Sequence, residues 1–557
     1  MKKSFLPFLL ILILFIQCKS TIKEETDITV DNILKNEKDN SWVKNSIGYQ
    51  IFVRSFADSD GDGIGDLRGI TERLDYLNDG KEGGNDLGVD FIWLTPIFDC
   101  PENSVHGYDT IDYYKINPKY GTLSDFKRLI NEANKRGIKI ILDLVINHGS
   151  KEHPYFKEAL AGNKEKKEYF VFKDTNPGWK SPVNPTTSAF VKTKAGYFYA
   201  AFWSGMPDWN LANPKVTKYF YDIAKYWLDI GIAGFRLDAV RYLIEEEVNG
   251  EPVLKDSPAT LKWLKDFSDY VISNYPYAFI VGEAWTTPDI YSKYSDPKIG
   301  GLPSVFNFEL REMLVTSPKV YAASYGTTAR DIKNLLSEEA IDSTFTGSHD
   351  VERASNKLNN KEDFIKIMAK IFLLMPGTPF IYYGDEYGME KGNVGGDRAY
   401  RTPMCWNATK NAGFSTSNPW NVISPEYQER NVETQLKNKD SILNVFREFI
   451  KLRKSLTGFG GGKFVYHPSE KDILNFFVKT VDSLYFVEIN YSKDKIAGFM
   501  ESDDWVDELG FSEKNTLILT EIYGDSLNTR YEIPIVDASD FCQIEGYGVK
   551  IFKVEKK

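Results

Sequence analysis

Four short stretches of this chain put acids where a hydrophobic core would not tolerate them. One ends in Asp143-Leu-Val-Ile-Asn147-His148 and a second in Gly234-Phe-Arg236-Leu-Asp238. A third ends in Gly282-Glu283-Ala-Trp285, and a fourth reads Thr346-Gly-Ser-His349-Asp350. A lone acid at a strand–helix turn ordinarily caps a helix. Three acids accompanied by Arg236, His148 and His349 do not fit that role, because burying carboxylates is costly unless they pair or work. Glycoside hydrolysis is the chemistry that uses such a cluster. One carboxylate attacks the anomeric carbon, a second protonates the leaving oxygen, and retention needs the two about 5 Å apart. Neighbouring strands of a barrel supply about that spacing. Asp238, Glu283 and Asp350 are expected to follow one another around a single rim.

The elements that must hold these acids are legible in the hydrophobic pattern. Apolar strand-like runs occupy residues 48–52, 89–94, 138–145, 233–237, 278–281 and 379–383. Amphipathic helical stretches occupy residues 123–136, 216–230, 261–275 and 363–374. Apolar strands alternating with helices imply a parallel sheet. So many units in one chain point to an α/β fold, a (β/α)8 TIM barrel with its working residues at the C-terminal ends of the strands. A doubly wound open sheet is the alternative, but no glycine-rich dinucleotide fingerprint follows the first strand. About sixty residues separate the third strand from the next helix, too many for a structureless loop in a compact protein. They read as a small inserted domain. After residue 456 the pattern changes to short strand-like runs, an all-β tail.

At this point the chain resembles the α-amylase family of glycoside hydrolases. DLVINH, GFRLDAVRY, the Glu of GEAW and the HD of TGSHD are similar, in this order, to that family's four conserved regions. HGYD (106–109), MPDWN (206–210), GIGDLRGI (63–70) and GTPFIYYGDE (377–386) are similar to further family motifs. The resemblance covers roughly residues 43–456. It implies a barrel at 43–147 and 206–456, an inserted domain B after strand 3 at 148–205, and a C-terminal antiparallel β-sandwich at 457–557. It also implies Asp238 as nucleophile, Glu283 as acid/base and Asp350 as transition-state stabiliser. Arg236 would keep Asp238 ionised, His148 and His349 would bind sugar hydroxyls, and Tyr108 would stack on the sugar. His106 and Asp109, of HGYD, are candidate substrate contacts beside them. Arg401, in RTPMCW, resembles a substrate-side residue of the α-glucosidase branch and is a candidate for a subsite beyond the scissile bond. MPDWN departs from the common MPDLN, a motif that lies between the oligo-1,6-glucosidase and neopullulanase branches. Ala239 after the nucleophile favours α-1,4 linkages. The implied activity is retaining hydrolysis of α-1,4-glucans or maltooligosaccharides. An α-glucosidase, oligo-1,6-glucosidase or glucanotransferase is the alternative. A non-catalytic sugar-binding relative is remote, since all three carboxylates are present.

Two metal sites come into question. Asp58, Asp60, Asp62 and Asp66 stand at positions 1, 3, 5 and 9 of a loop with glycine at 6, the spacing by which oxygen ligands wrap Ca2+. Position 12 is Gly69, so this is not an EF-hand. Related α-glucosidases bind calcium at the same loop, and the Ile64 carbonyl would complete the set. The family's other calcium site, between barrel and inserted domain, uses a His carbonyl after the nucleophile. Arg241-Tyr242 stands here where Lys-His is usual, which counts against that site.

Bulk properties bound the partners. The formal net charge of −11 would repel nucleic acid and anionic membrane, and both are discarded as partners. Lys2 and Lys3 precede an apolar run ending before Cys18, which fits a signal peptide too short to span a bilayer. A cysteine in that place resembles a lipoprotein signal. Residues 1–18 are therefore expected to be a signal with Cys18 as the lipidation site, and residues 19–42 a polar linker. The mature chain is expected to be an exported, monomeric bacterial lipoprotein, facing the periplasm or the outside and touching membrane only through its anchor. The remaining cysteines, Cys100, Cys405 and Cys542, show no paired spacing.

Overall fold

The computed structural model describes residues 28–30, 33–81, 83–316, 318–468, 472–535 and 539–557. Cys18, the expected signal and residues 19–27 and 31–32 of the expected linker lie outside these residues. Among the described residues, parallel strands close a barrel in chain order. They are β1 (Gly48–Ile51), β2 (Phe91–Leu94), β3 (Lys139–Leu144), β4 (Gly234–Leu237), β5 (Phe279–Gly282), β6 (Ser304–Phe306), β7 (Ile341–Phe345) and β8 (Thr378–Tyr382). β8 pairs with β1 and completes the ring. The expected (β/α)8 barrel is the observed fold.

The strands are apolar because they are buried on both faces, by side chains inside and helices outside. Helix α1 (Leu123–Lys135) packs behind β3, and α2 (Pro214–Ile230) leads into β4. In α2, Asn213 caps the N-terminus, Pro214 opens the first turn, and Gly231 ends it at φ 117°. Its buried face is Val216, Phe220, Ile223, Ala224, Trp227 and Leu228, the spacing of an amphipathic helix. Gly234 then opens β4 at φ +147°, where an added Cβ would lie 1.8 Å from the Phe279 carbonyl oxygen. Only glycine lets β4 and β5 approach so closely, and these are the strands that end in Asp238 and Glu283.

β6 and β7 escape a reading of hydrophobic pattern. β6 has three residues, and β7 reads Ile-Asp-Ser-Thr-Phe. Their polar side chains are buried, and several of them pair inside the sheet. Ser304 Oγ lies 2.7 Å from Ser343 Oγ and donates to the Ile341 carbonyl at 2.6 Å, while Asn307 donates to Asp342 at 3.0 Å. Asp350 follows β7, and β6 stands between β5 and β7, so the three acids keep their order around the rim with one strand between Glu283 and Asp350.

Between β3 and α2 the chain leaves the barrel and forms an antiparallel sheet of Phe172–Lys173, Phe190–Thr193 and Gly196–Tyr199. The excursion closes on itself: Gly149 N–H donates to the Pro207 carbonyl and Trp209 N–H to the Asn147 carbonyl, both at 3.0 Å. At the other end, α5 (Ile442–Ser455, after α3 at Pro258–Asn274 and α4 at Glu362–Leu374) leads into an antiparallel β-sandwich. A six-stranded sheet faces the pair Ile496–Met500 and Ser539–Ile544 across a core that includes Phe477, Phe486, Trp505 and Leu517. No helix among the described residues is long and apolar enough to cross a membrane.

Candidate active site

The ends of β3, β4 and β5 meet at one guanidinium. Arg236 is 1% exposed and points from β4 into the mouth of the barrel. Its Nη1 donates to Asp143 at 2.8 Å and to Asp238 at 2.7 Å, and its Nη2 lies 2.7 Å from Glu283 Oε2. Asp143 is further held by the Tyr108 hydroxyl at 2.7 Å and the Trp93 indole N–H at 3.2 Å. Ala239, directly after Asp238, adopts φ 50° and ψ 39°. That left-handed turn costs a non-glycine residue roughly 1–2 kcal/mol. It aims the Ala239 N–H at Glu283 Oε2, 3.2 Å away.

A second cationic group holds the remaining acid. Arg401 Nη2 donates to Asp350 Oδ1 at 2.8 Å, and its Nε donates to the His349 carbonyl at 2.8 Å. His349 Nε2 lies 2.8 Å from Asp350 Oδ2, while its Nδ1 meets Gln50 at 2.8 Å. The His349 ring stacks on Tyr108 with centroids 5.3 Å apart and planes 5° apart. These groups surround a cleft of about 650 Å3 lined by both ionisable and aromatic side chains.

Burial and charge divide the acids into two kinds. Burial pushes Asp238 and Glu283 up to about 7 despite Arg236. Asp143 is pushed by burial to about 6, again against Arg236. Burial acts on Asp350 too, but His349, Arg401 and Arg236 outweigh it and hold its carboxyl well below the usual range. His148 is forced by burial down to about 3 and is a neutral imidazole. Asp350 locked in its charged form beside Asp143, Asp238 and Glu283, all raised by burial, is the arrangement expected of acid–base and nucleophilic work.

Comparison with known proteins places this arrangement. The model of the alpha amylase catalytic domain matches residues 50–459. The chain belongs to the alpha-amylase family. It is 34% identical over 462 residues to alpha-amylase 3 of Dictyoglomus thermophilum, covering 81% of this chain and 86% of that one. It is 32% identical over 506 residues to a glucan 1,6-alpha-glucosidase of Streptococcus pneumoniae, covering 82% and 92%. Among solved structures, an alpha-amylase from H. orenii superposes with a TM-score of 0.77 at 34% identity, covering 92% of this chain and all 100% of that one. The protein is thus an alpha-amylase-family glycoside hydrolase.

Within this alpha-amylase barrel the fold gathers most of the residues singled out from sequence. His106, Tyr108, His148, Asp238, Glu283, Asp350 and Arg401 all line the cleft. Arg236 and His349 stand behind them. His148 Nε2 is buried with no protein partner, leaving it free for a sugar hydroxyl. Asp109 does not line the cleft. It accepts from the Ser104 hydroxyl and lies 3.8 Å from His106, so it braces the loop. Arg401 is turned inward onto Asp350 and His349, not outward toward a further sugar. Sequence reasoning missed Asp143 as the third ligand of Arg236, although it begins the DLVINH stretch. It also missed the aromatic walls: Phe202, Trp203, Tyr242 and Trp285 line the cleft, and both tryptophans are 50% exposed. Half-exposed indoles are a surface property, invisible until the loops are placed.

The acidic loop after β1 suits a hard cation. Asp58, Asp60 and Asp66 each offer an oxygen, and these oxygens lie within 4.8 Å of one another. Asp62 stands outside that group, with its Oδ1 accepting the Ile64 N–H at 2.7 Å. Burial, helped by Asp60, Asp58 and Asp66, raises the Asp62 pKa. Asp66 does double duty: it caps the helix Leu67–Glu72 through the Gly69 N–H and accepts from Ser59. The oxygen-only donor set fits calcium. Between the barrel and the inserted sheet, Asn147 donates to Asp208 at 3.0 Å, and Arg241 donates to Asp256 at 2.9 Å.

Proposed function

We propose that this protein is a retaining hydrolase of α-1,4-glucosidic bonds in starch-like glucans or maltooligosaccharides. The observation that carries the reading is Arg236, whose two terminal nitrogens each lie 2.7 Å from a different carboxylate, Asp238 and Glu283. Carboxylates bracketed by one guanidinium are held at the short separation, about 5 Å, that a covalent glycosyl-enzyme requires. In this reading Asp238 Oδ attacks the anomeric carbon while protonated Glu283 delivers its proton to the leaving oxygen. Glu283 then takes a proton from water, whose oxygen displaces Asp238 and releases the sugar with its α configuration. Asp350, held anionic throughout, stabilises positive charge developing on the ring. His148, Tyr108 and His106 orient the sugar.

The site fits α-1,6 bonds and glucosyl transfer by the same intermediate, and the relatives' names include a 1,6-glucosidase. Products settle this. A time course on starch, maltotriose, isomaltose and pullulan should show maltotriose and starch consumed well ahead of isomaltose. Proton NMR of the first product should show the α-anomer. Isomaltose as the preferred substrate would overturn the α-1,4 reading, and a β-anomer formed first would overturn the mechanism.

Calcium is proposed at Asp58, Asp60 and Asp66, with Asp62 and the Ile64 carbonyl beside them, where it would neutralise a crowded loop. The proposed location is outside the cytoplasm, anchored through lipidated Cys18.

A further inference from the structure

Arg401 reaches Asp350 from a backbone that other loops hold. Its carbonyl accepts from the Ser55 hydroxyl at 2.7 Å and from the Asn421 side-chain amide at 3.1 Å. Ser55 is fully buried in the short helix Val53–Phe56 that follows β1. Its oxygen also accepts the Trp420 indole N–H at 3.1 Å. An indole nitrogen only donates, and a serine hydroxyl carries one proton, so that proton is left for the Arg401 carbonyl. Trp420 is itself pinned. Its backbone N–H donates to the Gly63 carbonyl at 2.9 Å, and its own carbonyl accepts from Arg398 at 3.2 Å. The guanidiniums of Arg54 and Arg398 lie over the indole, 5.0 and 5.6 Å from its centroid. Asn421, next in the chain, also donates to the Arg398 carbonyl at 2.7 Å. The turn Gly396–Tyr400 that leads into Arg401 is thus fastened by Ser55, Trp420 and Asn421, and none of these three lines the cleft.

We propose that Trp420, acting through Ser55 and beside Asn421, is a positioning residue for the reaction. It fixes the Arg401 backbone so that the guanidinium holds Asp350 next to the charge that develops on the attacked ring. This rests on the reading above, in which Asp350 is the stabiliser. A carboxylate lowers a barrier electrostatically only when it is already in place as the charge appears. Arg401 commits Nε to the His349 carbonyl and Nη2 to Asp350 Oδ1, at 2.8 Å each. Both bonds move with the Arg401 backbone, and misplacing a catalytic group by about 1 Å can cost about 10²-fold in rate. The relay runs from Trp420 through the Ser55 hydroxyl and the Arg401 carbonyl to the guanidinium. It acts on the transition state and leaves the sugar-binding walls of the cleft untouched. Its loss should therefore appear in kcat and spare KM.

The test measures kcat and KM on maltotetraose and the inhibition constant of deoxynojirimycin, a glucose-shaped amine whose protonated nitrogen stands in for the ring charge. Trp420→Phe keeps an aromatic ring and removes the indole N–H, and Ser55→Ala removes the hydroxyl. Each should lower kcat about tenfold at nearly constant KM and raise the inhibition constant in proportion. The double variant should match Ser55→Ala alone, because both changes break one relay. Asn421→Ser probes the same carbonyl from a separate side chain and should act in the same direction, so the test stands even where Ser55→Ala fails to fold. Loss of folded protein would lower kcat and leave the inhibition constant at its wild-type value, so packing damage does not imitate the effect. Wild-type kcat in these variants, or a fall in kcat with an unchanged inhibition constant, would overturn the positioning role. A failure of the underlying reading looks different: Asp350→Asn would then keep wild-type kcat.

Discussion

Asp238 and Glu283 share one guanidinium, and each residue's chemistry depends on the other's charge. Burial raises both pKa values, so the pair holds a proton at pH values where ordinary carboxyls have lost theirs. In the proposed mechanism the productive form carries one proton, on Glu283. The pH profile of kcat/KM should therefore be bell-shaped. It falls on the acid side as Asp238 takes up a proton, and on the alkaline side as Glu283 loses one. Because burial favours the neutral acid, the alkaline limb should sit above the ordinary carboxylate range. Glu283→Gln assayed with α-glucosyl fluoride, which needs no acid, should lose that limb. On glucan substrates Glu283→Gln should lower kcat about 10²–10⁴-fold, and Asp238→Asn at least as much. Calorimetric binding of maltotetraose to both variants should persist, since shape is kept and only charge or proton is removed. Near-wild-type kcat in either purified variant would remove that residue from its role.

The elements that matter most are loops pinned by their neighbours. The acidic loop after β1 has little apolar packing of its own. It is fastened by Asp58 N–H to the Phe414 carbonyl at 3.1 Å and by Trp420 N–H to the Gly63 carbonyl at 2.9 Å. A cation there would bind the folded loop and scarcely the unfolded chain, adding about 2.7 kcal/mol when calcium is at a hundredfold excess over Kd. Chelation should lower Tm, and calcium should restore it while magnesium does so poorly. Asp60 is the position to probe. Asp58 and Asp66 also hold backbone turns and a helix cap, whereas Asp60 accepts only from Asp62 N–H. Asp60→Ala combined with Asp62→Ala should abolish the calcium response measured by thermal denaturation. A wild-type protein shown metal-free by elemental analysis, with a Tm insensitive to calcium, would refute the site.

At the scale of the whole molecule, a barrel, an excursion from its rim and a sandwich at its end form one body behind a segment read only from sequence. Arg453, on α5 just before the sandwich, donates to the carbonyls of Leu373 at 2.8 Å and Met375 at 2.7 Å, tying the join to the barrel floor. The proposed anchor is separable from this body. Cys18→Ser should leave the apolar run able to direct export but remove the site of acylation. The enzyme should move from the membrane fraction to the soluble exported fraction with its activity intact. Unchanged fractionation of the variant would exclude Cys18 as the anchor.

Sequence alone determined the barrel, because strands buried on both faces must be apolar along their whole length and six of them read that way. It also marked Asp238, Glu283 and Asp350, because buried acids at strand ends have few other uses. β6 and β7 could not be read, since Ser304 and Ser343 pair, and Asp342 meets Asn307, only once the sheet has formed. The same limit hid the extra strand between Glu283 and Asp350. Asp143 became part of the site only when β3 and β4 were set side by side and one guanidinium could reach both. Trp285 and Trp203 remained ordinary aromatics until packing left them half in water. Pattern along the chain reports what is buried; which buried groups face each other, and which rings face solvent, is decided by contacts between residues far apart in sequence.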